Sequence, residues 1–164
     1  MAFRLQSSRR LHEEHEVTLV LLRRFERALL GHARTFPPTA ADPEWETLVR
    51  TLAGALHHEI ANHFQFEEEK LFPPLRAAGE AELTGLLSEE HGEIRDVVSA
   101  LMPLLHASLV AESDRWEPLK MLGLELCERL KSHIDKEEVA LLPALDAALD
   151  QAIDALLIAD YTET

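Results

Sequence analysis

The sequence predicts an all-α protein, an antiparallel up-down four-helix bundle followed by a short C-terminal fifth helix. Three observations predict this fold. The 164 residues include only six glycines, and no alternation of apolar and polar residues is long enough for a strand. Apolar residues recur at alternating steps of four and three, which is the spacing of a helix that faces a bundle. These apolar stripes occur in two pairs, so the sequence contains an internal repeat of one helical hairpin.

The predicted helices cover about residues 8–34, 43–72, 80–110 and 113–142, with a short fifth helix at about 146–159. Pro43 suits the first turn of the second helix, and Gly79 separates the second helix from the third. Pro73 and Pro143 are expected to stop or bend the second and fourth helices, and Pro103 to kink or end the third locally. A chain of this length suits one hydrophobic core, so residues 1–164 are expected to form a single domain.

Composition narrows the functional classes. The net charge of −14 argues against a nucleic-acid partner and against an anionic membrane surface. No apolar run is long enough for a transmembrane helix. The single cysteine, Cys127, excludes an internal disulfide and is expected to be a small buried hydrophobe. These features favour a cytoplasmic protein, and a homodimer is an open alternative.

One histidine interrupts each of the four apolar stripes. His91 follows His15 by 76 positions, and His133 follows His63 by 70, so the histidines obey the same repeat as the stripes. In the second and fourth helices a glutamate follows the histidine one turn later, on the same helical face. The bundle interior is therefore expected to contain His15, His63, Glu67, His91, His133 and Glu137.

Burying four imidazoles and two carboxylates is unfavourable unless they pair with one another or bind metal. A lone His-x-x-x-Glu is weak evidence for a metal, but two copies, each with a second histidine on the same seam, predict metal ligation. Imidazole and carboxylate ligands suit iron, manganese or zinc, and the absence of cysteine from the set argues against a structural zinc site. A hydrogen-bonded polar core without metal is the alternative.

Four segments carry a family resemblance: EEHE around His15, HFQFEEEKLFPPL from His63, EEHGEI around His91 and HIDKEEVALLP from His133. Together they resemble the hemerythrin-like (HHE cation-binding) domain family from about residue 8 to 145. The resemblance implies a non-haem di-iron centre with the six residues above as ligands, iron being favoured over manganese or zinc. It also implies a small ligand, namely O₂, nitric oxide or peroxide.

The chain departs from the oxygen carriers of that family at one position. Their third helix carries His-x-x-x-His, whereas the residue one turn after His91 is Arg95. The resemblance therefore implies sensing, scavenging or iron and redox stress handling rather than bulk oxygen transport. Water, His12 or Glu59 could take the place of the fifth histidine.

Other polar residues are expected outside the site. The second glutamate of each repeat, Glu68 and Glu138, is expected to face solvent. The tail from Tyr161 is expected to fray, so no tyrosine is expected beside the site. The remaining histidines are expected at the surface or at helix ends: His32, His57, His58 and His106.

Two alternative functions remain at this stage. The first is a di-iron enzyme with peroxidase-like, catalase-like or oxidase activity. The second is a metal-free interaction bundle whose polar core sets the register of the helices.

Overall fold

Five helices, named α1 to α5, make up the part of the chain that the computed structural model describes, residues 3–31, 37–110 and 115–162. α1 spans Gln6–Leu29, α3 spans Ala81–Ser108 and α5 spans Gln151–Thr162. α2 consists of the α-helical segments Pro43–His58, Phe64–Phe66 and Phe72–Ala77, joined by the π-helical turns Glu59–His63 and Glu67–Leu71. α4 consists of Trp116–Lys136, the π-helical turn Glu137–Leu141 and Leu142–Ala148.

The helices pack as the predicted bundle. α3 lies against α4, and α1 lies against α4 and α2, while α5 crosses back onto α1. No strand occurs within the described ranges, so the predicted all-α bundle with a short fifth helix is confirmed. None of the helices described is both long enough and apolar enough to cross a membrane.

The bundle core has two apolar clusters with a polar layer between them. One cluster is built around Phe25 and Trp45, at the end of the bundle where α1 finishes and α2 begins. The other is built around Leu11 and Phe72, at the opposite end. Cys127 is buried in the first cluster, as predicted, and its burial raises the pKa of the thiol to about 12.

The first helix is shorter at its C-terminal end than predicted. It ends at Leu29 instead of about residue 34, because Gly31 takes a φ of 78° and donates its backbone N–H to the Ala28 carbonyl. A glycine with positive φ just beyond the last turn is a common helix terminator. Residues 32–36, including His32, lie outside the described residues.

Pro73 and Pro143 were expected to stop or bend their helices, and neither proline stops its helix. α2 continues past Pro73 to Ala77, and α4 continues past Pro143 to Ala148. A proline ring collides with the carbonyl one turn earlier in a regular helix, and here a π-helical turn ends two residues before Pro73 and before Pro143. We attribute the tolerance to this wider turn.

The remaining predicted boundaries concern α3, α4 and α5. α3 runs through Pro103 without ending there. The predicted start of the fourth helix, Ser113, lies outside the described residues, and α4 is seen from Trp116. α5 begins at Gln151 rather than about residue 146, because Leu149 is extended and Asp150 caps the new helix by accepting from the Ala152 and Ile153 N–H groups.

The start of α1 is capped by a residue from α5. Asp154 is 1% exposed, and its carboxylate accepts from the backbone N–H groups of Gln6 at 2.6 Å and Ser7 at 3.2 Å. The first N–H groups of a helix have no partner within the helix, and the residue before α1, Leu5, offers no side-chain cap. The last helix therefore holds the first in place.

Asp154→Ala is expected to lower the free energy of unfolding by about 1–3 kcal/mol, because it leaves two N–H groups uncapped in a buried position. Thermal and urea unfolding would measure the change. Asp160→Ala is the control on the same helix, because Asp160 forms an exposed ion pair with Lys70, and such pairs contribute little. Equal stability of Asp154→Ala and Asp160→Ala would contradict the proposed cap.

Candidate metal centre

The six predicted side chains lie together in the polar layer of the bundle. Each is buried, and none is more than 1% exposed: His15, His63, Glu67, His91, His133 and Glu137. One histidine comes from each of the four long helices, at the inward position that the apolar stripes of the sequence predict. The two glutamates come from α2 and α4, each at the first residue of a π-helical turn.

The four imidazoles form two pairs, one from each helical hairpin. His15 Nε2 lies 3.3 Å from His63 Nε2, and His91 Nε2 lies 3.0 Å from His133 Nε2. Every Nε2 therefore points into the layer. Nitrogens this close share one site, and neutral imidazoles can direct their lone pairs at a common cation.

Each carboxylate spans both histidine pairs. Glu137 places Oε2 3.0 Å from His15 Nε2 and Oε1 2.9 Å from His133 Nε2. Glu67 places Oε1 3.5 Å from His63 Nε2 and Oε2 3.3 Å from His91 Nε2. The two oxygens of one carboxylate thus face different pairs, which is the arrangement of a bridging ligand.

The donor atoms divide into two groups that could each hold a cation. In each group, the ligand atoms lie within 4.8 Å of one another: Glu67, His91, His133 and Glu137 in the first, and His15, His63 and Glu137 in the second. All four oxygens of Glu67 and Glu137 are buried and accept no hydrogen bond from the described residues. Buried carboxylates need a cation, so the residues present fit a metal site.

A family model confirms what this geometry indicates. The model of the hemerythrin HHE cation-binding domain matches residues 6–145. The chain belongs to the hemerythrin HHE cation-binding domain family. No curated protein matches the chain. Membership and the buried His/Glu cluster together support cation binding by this hemerythrin domain.

Four further glutamates hold the histidines from outside, and the sequence analysis missed them. Each ring of the hemerythrin site directs Nδ1 at a carboxylate oxygen, at distances from 2.6 to 3.0 Å. The pairs are His15 with Glu138, His63 with Glu14, His91 with Glu68 and His133 with Glu90. Such contacts fix the ring orientation and leave Nε2 for the metal.

The expectation that Glu68 and Glu138 face solvent was therefore wrong. Their side chains are 31% and 24% exposed, and each reaches a histidine on the neighbouring helix. A residue next to an inward-facing position points toward the interface with the adjacent helix rather than away from the bundle. For the other two outer glutamates, Glu14 and Glu90, the sequence did contain a signal. Each directly precedes a histidine of the site, and this Glu-His pair occurs in both repeats.

The structure shows what Arg95, which stands in place of a fifth histidine, and the candidate replacement His12 contact. Arg95 does not face the metal layer; its two terminal nitrogens lie 2.9 and 3.1 Å from the two oxygens of Glu68, which in turn holds His91. His12 contacts Glu138 Oε2 at 2.9 Å, and its side chain is 41% exposed. Both residues support outer carboxylates and belong to neither donor group.

Tyr161 lies closer to the site than predicted. It belongs to α5 rather than to a frayed tail, and its ring stacks on Phe66. Its hydroxyl donates to Glu14 Oε2 at 2.7 Å, and the same oxygen accepts from His63 Nδ1. Two hydrogen bonds therefore connect Tyr161 to a metal-facing histidine. His57, His58 and His106 are exposed, as predicted.

The carboxylates dominate the electrostatics of the layer. Burial lowers the pKa of His15, but the adjacent carboxylates of Glu137 and Glu138 raise it by more, to about 9. Burial also lowers the pKa of His91, but the carboxylates of Glu137 and Glu67 raise it by more, to about 9. Without metal the imidazoles of His15 and His91 therefore hold protons at neutral pH, and a bound cation must displace them.

Glu138→Ala is expected to weaken metal binding about 10- to 100-fold, because His15 loses the carboxylate that orients its ring. Metal affinity, measured by competition with a chelator of known affinity, would test this. Asp135→Ala is the matched control, because Asp135 is exposed on the same helix. An affinity equal to that of the control would mean that Glu138 does not orient His15.

Proposed function

We propose that this hemerythrin domain is a di-iron protein that binds O₂, nitric oxide or peroxide and serves in sensing, scavenging or iron and redox stress handling. One observation carries the proposal: both buried carboxylates, Glu67 and Glu137, span the two histidine pairs. This arrangement supports a pair of ions a few ångströms apart, each with two imidazoles and with carboxylate oxygens shared between them.

Membership of the hemerythrin family favours iron, and the donor set is compatible with it. Imidazole combined with carboxylate suits iron and also manganese, whereas structural zinc sites are dominated by cysteine. Two octahedral ions have about twelve coordination positions, and six side chains do not fill them. Iron in such a site supplies electrons to a bound small molecule or polarises it.

The residues around the site would limit the size of the bound molecule and exclude water from it. The Phe64 ring stacks on His91 with a centroid distance of 3.8 Å, and Phe72 stacks on the same imidazole at 5.8 Å. Both phenylalanines are fully buried. Apolar side chains exclude water and large substrates, while the outer glutamates retain the Nδ1 protons of the histidines.

Purification without oxygen, followed by metal analysis and optical spectroscopy, tests the proposal. We expect close to two irons per chain and new absorption bands when O₂, nitric oxide or peroxide is added. Zinc alone, or no metal, would contradict a di-iron site. Sustained release of O₂ from peroxide would assign the site to a peroxide-destroying enzyme instead.

A further inference from the structure

Glu59 is a buried carboxylate beside the metal layer with little to stabilise it. The residue is 3% exposed, and its Oε2 accepts a hydrogen bond from the Thr18 hydroxyl at 3.2 Å. Within the described part of the chain, Oε1 has no hydrogen-bond partner. A buried carboxylate oxygen without a partner is unfavourable, so Oε1 is a free donor atom for a cation beside the layer.

Glu59 lies at a departure from the regular helix. It opens the π-helical turn Glu59–His63, in which the Phe64 N–H donates to the Glu59 carbonyl. Glu59 is buried, whereas the next residue, Ile60, is only half-buried.

This turn is unlike the other two. The π-helical turns that begin at Glu67 and Glu137 each precede a proline, whereas no proline follows Glu59–His63. The equivalent stretch of α4, residues 129–133, is ordinary α-helix. Isolated π-helical turns are uncommon and occur often at functional sites.

Glu59 belongs to one half of the site only. It lies one turn before His63, and its partner Thr18 lies one turn after His15. The residue equivalent to Glu59 in the second repeat, Arg129, binds Glu93 and Glu125 at the surface.

We infer that Glu59 is an additional carboxylate ligand for the ion held by His15 and His63, which is the smaller of the two donor groups. The inference rests on the proposed di-iron function. Glu59 lies outside the two compact donor groups, so binding requires its side chain to rotate toward His63. With Glu59 included, each of the two ions has ligands from four residues.

Glu59→Gln tests the inference because the amide keeps the size of the side chain and can still accept from Thr18. With ferrous iron added anaerobically, we expect two ions per chain for the unmodified protein. We expect the variant to hold one ion at full affinity and the second at least about 10-fold more weakly.

Thr18→Val is the matched control, because it removes the hydrogen bond to Oε2 and leaves the carboxylate. We expect it to keep two ions. Unchanged affinities for both ions in Glu59→Gln would overturn the inference, as would an equal loss of the second ion in Thr18→Val, which would show that the hydrogen bond matters rather than the carboxylate. A parent protein without iron would overturn the di-iron proposal and this inference together. Two irons in both the parent and Glu59→Gln, at equal affinities, would overturn this inference alone.

Discussion

Glu137→Ala is expected to abolish the binding of both metal ions. Glu137 is fully buried, and its carboxylate contacts His15 Nε2 on one side and His133 Nε2 on the other, at 3.0 and 2.9 Å. It is also the only residue shared by both donor groups. Removing it takes one oxygen from each metal position and removes negative charge that would balance the cations.

Metal content after purification measures this effect, with near two ions per chain expected for the parent and none for the variant. Circular dichroism would show whether the helices persist, and Glu137→Gln offers a variant of nearly unchanged shape if the alanine form does not fold. Glu128→Ala on the same helix is the control, because Glu128 is exposed. Full metal content in Glu137→Ala would favour the metal-free interaction bundle.

Metal binding is expected to weaken at least about 100-fold between pH 8 and pH 6. In the metal-free protein the pKa values of His15 and His91 are about 9, because adjacent carboxylates outweigh the effect of burial. The pKa values of His63 and His133 are raised as well. Below these pKa values each ion must displace protons, so the apparent affinity falls as the pH falls, about tenfold per pH unit for each proton displaced.

Chelator competition at several pH values would measure the affinity. Calorimetry in two buffers with different heats of ionisation would count the protons released. We expect at least one proton per ion near pH 7. An affinity that does not change between pH 6 and pH 8, with no proton release, would show that the imidazoles are not the ligands.

Much of the fold follows from patterns that are local in the sequence. The stripes with steps of four and three predicted the long helices, because the same spacing places apolar side chains on one helical face. The histidine that interrupts each stripe predicted the position of the polar layer. The helix ends were less predictable, because the capping of α1 by Asp154 and the continuation of α2 past Pro73 depend on contacts or turns that local rules do not include.

The features of the metal site also divide into those that follow from the local sequence and those that depend on tertiary contacts. The sequence by itself determined that His15, His63, Glu67, His91, His133 and Glu137 share the interior, because spacing along a helix decides which face a side chain takes. Only the tertiary structure decided how the histidines pair and which outer glutamate holds each ring. It also decided that Glu59 turns inward while Arg95 turns to Glu68. Those outcomes depend on distances between helices, which spacing along a single helix does not contain.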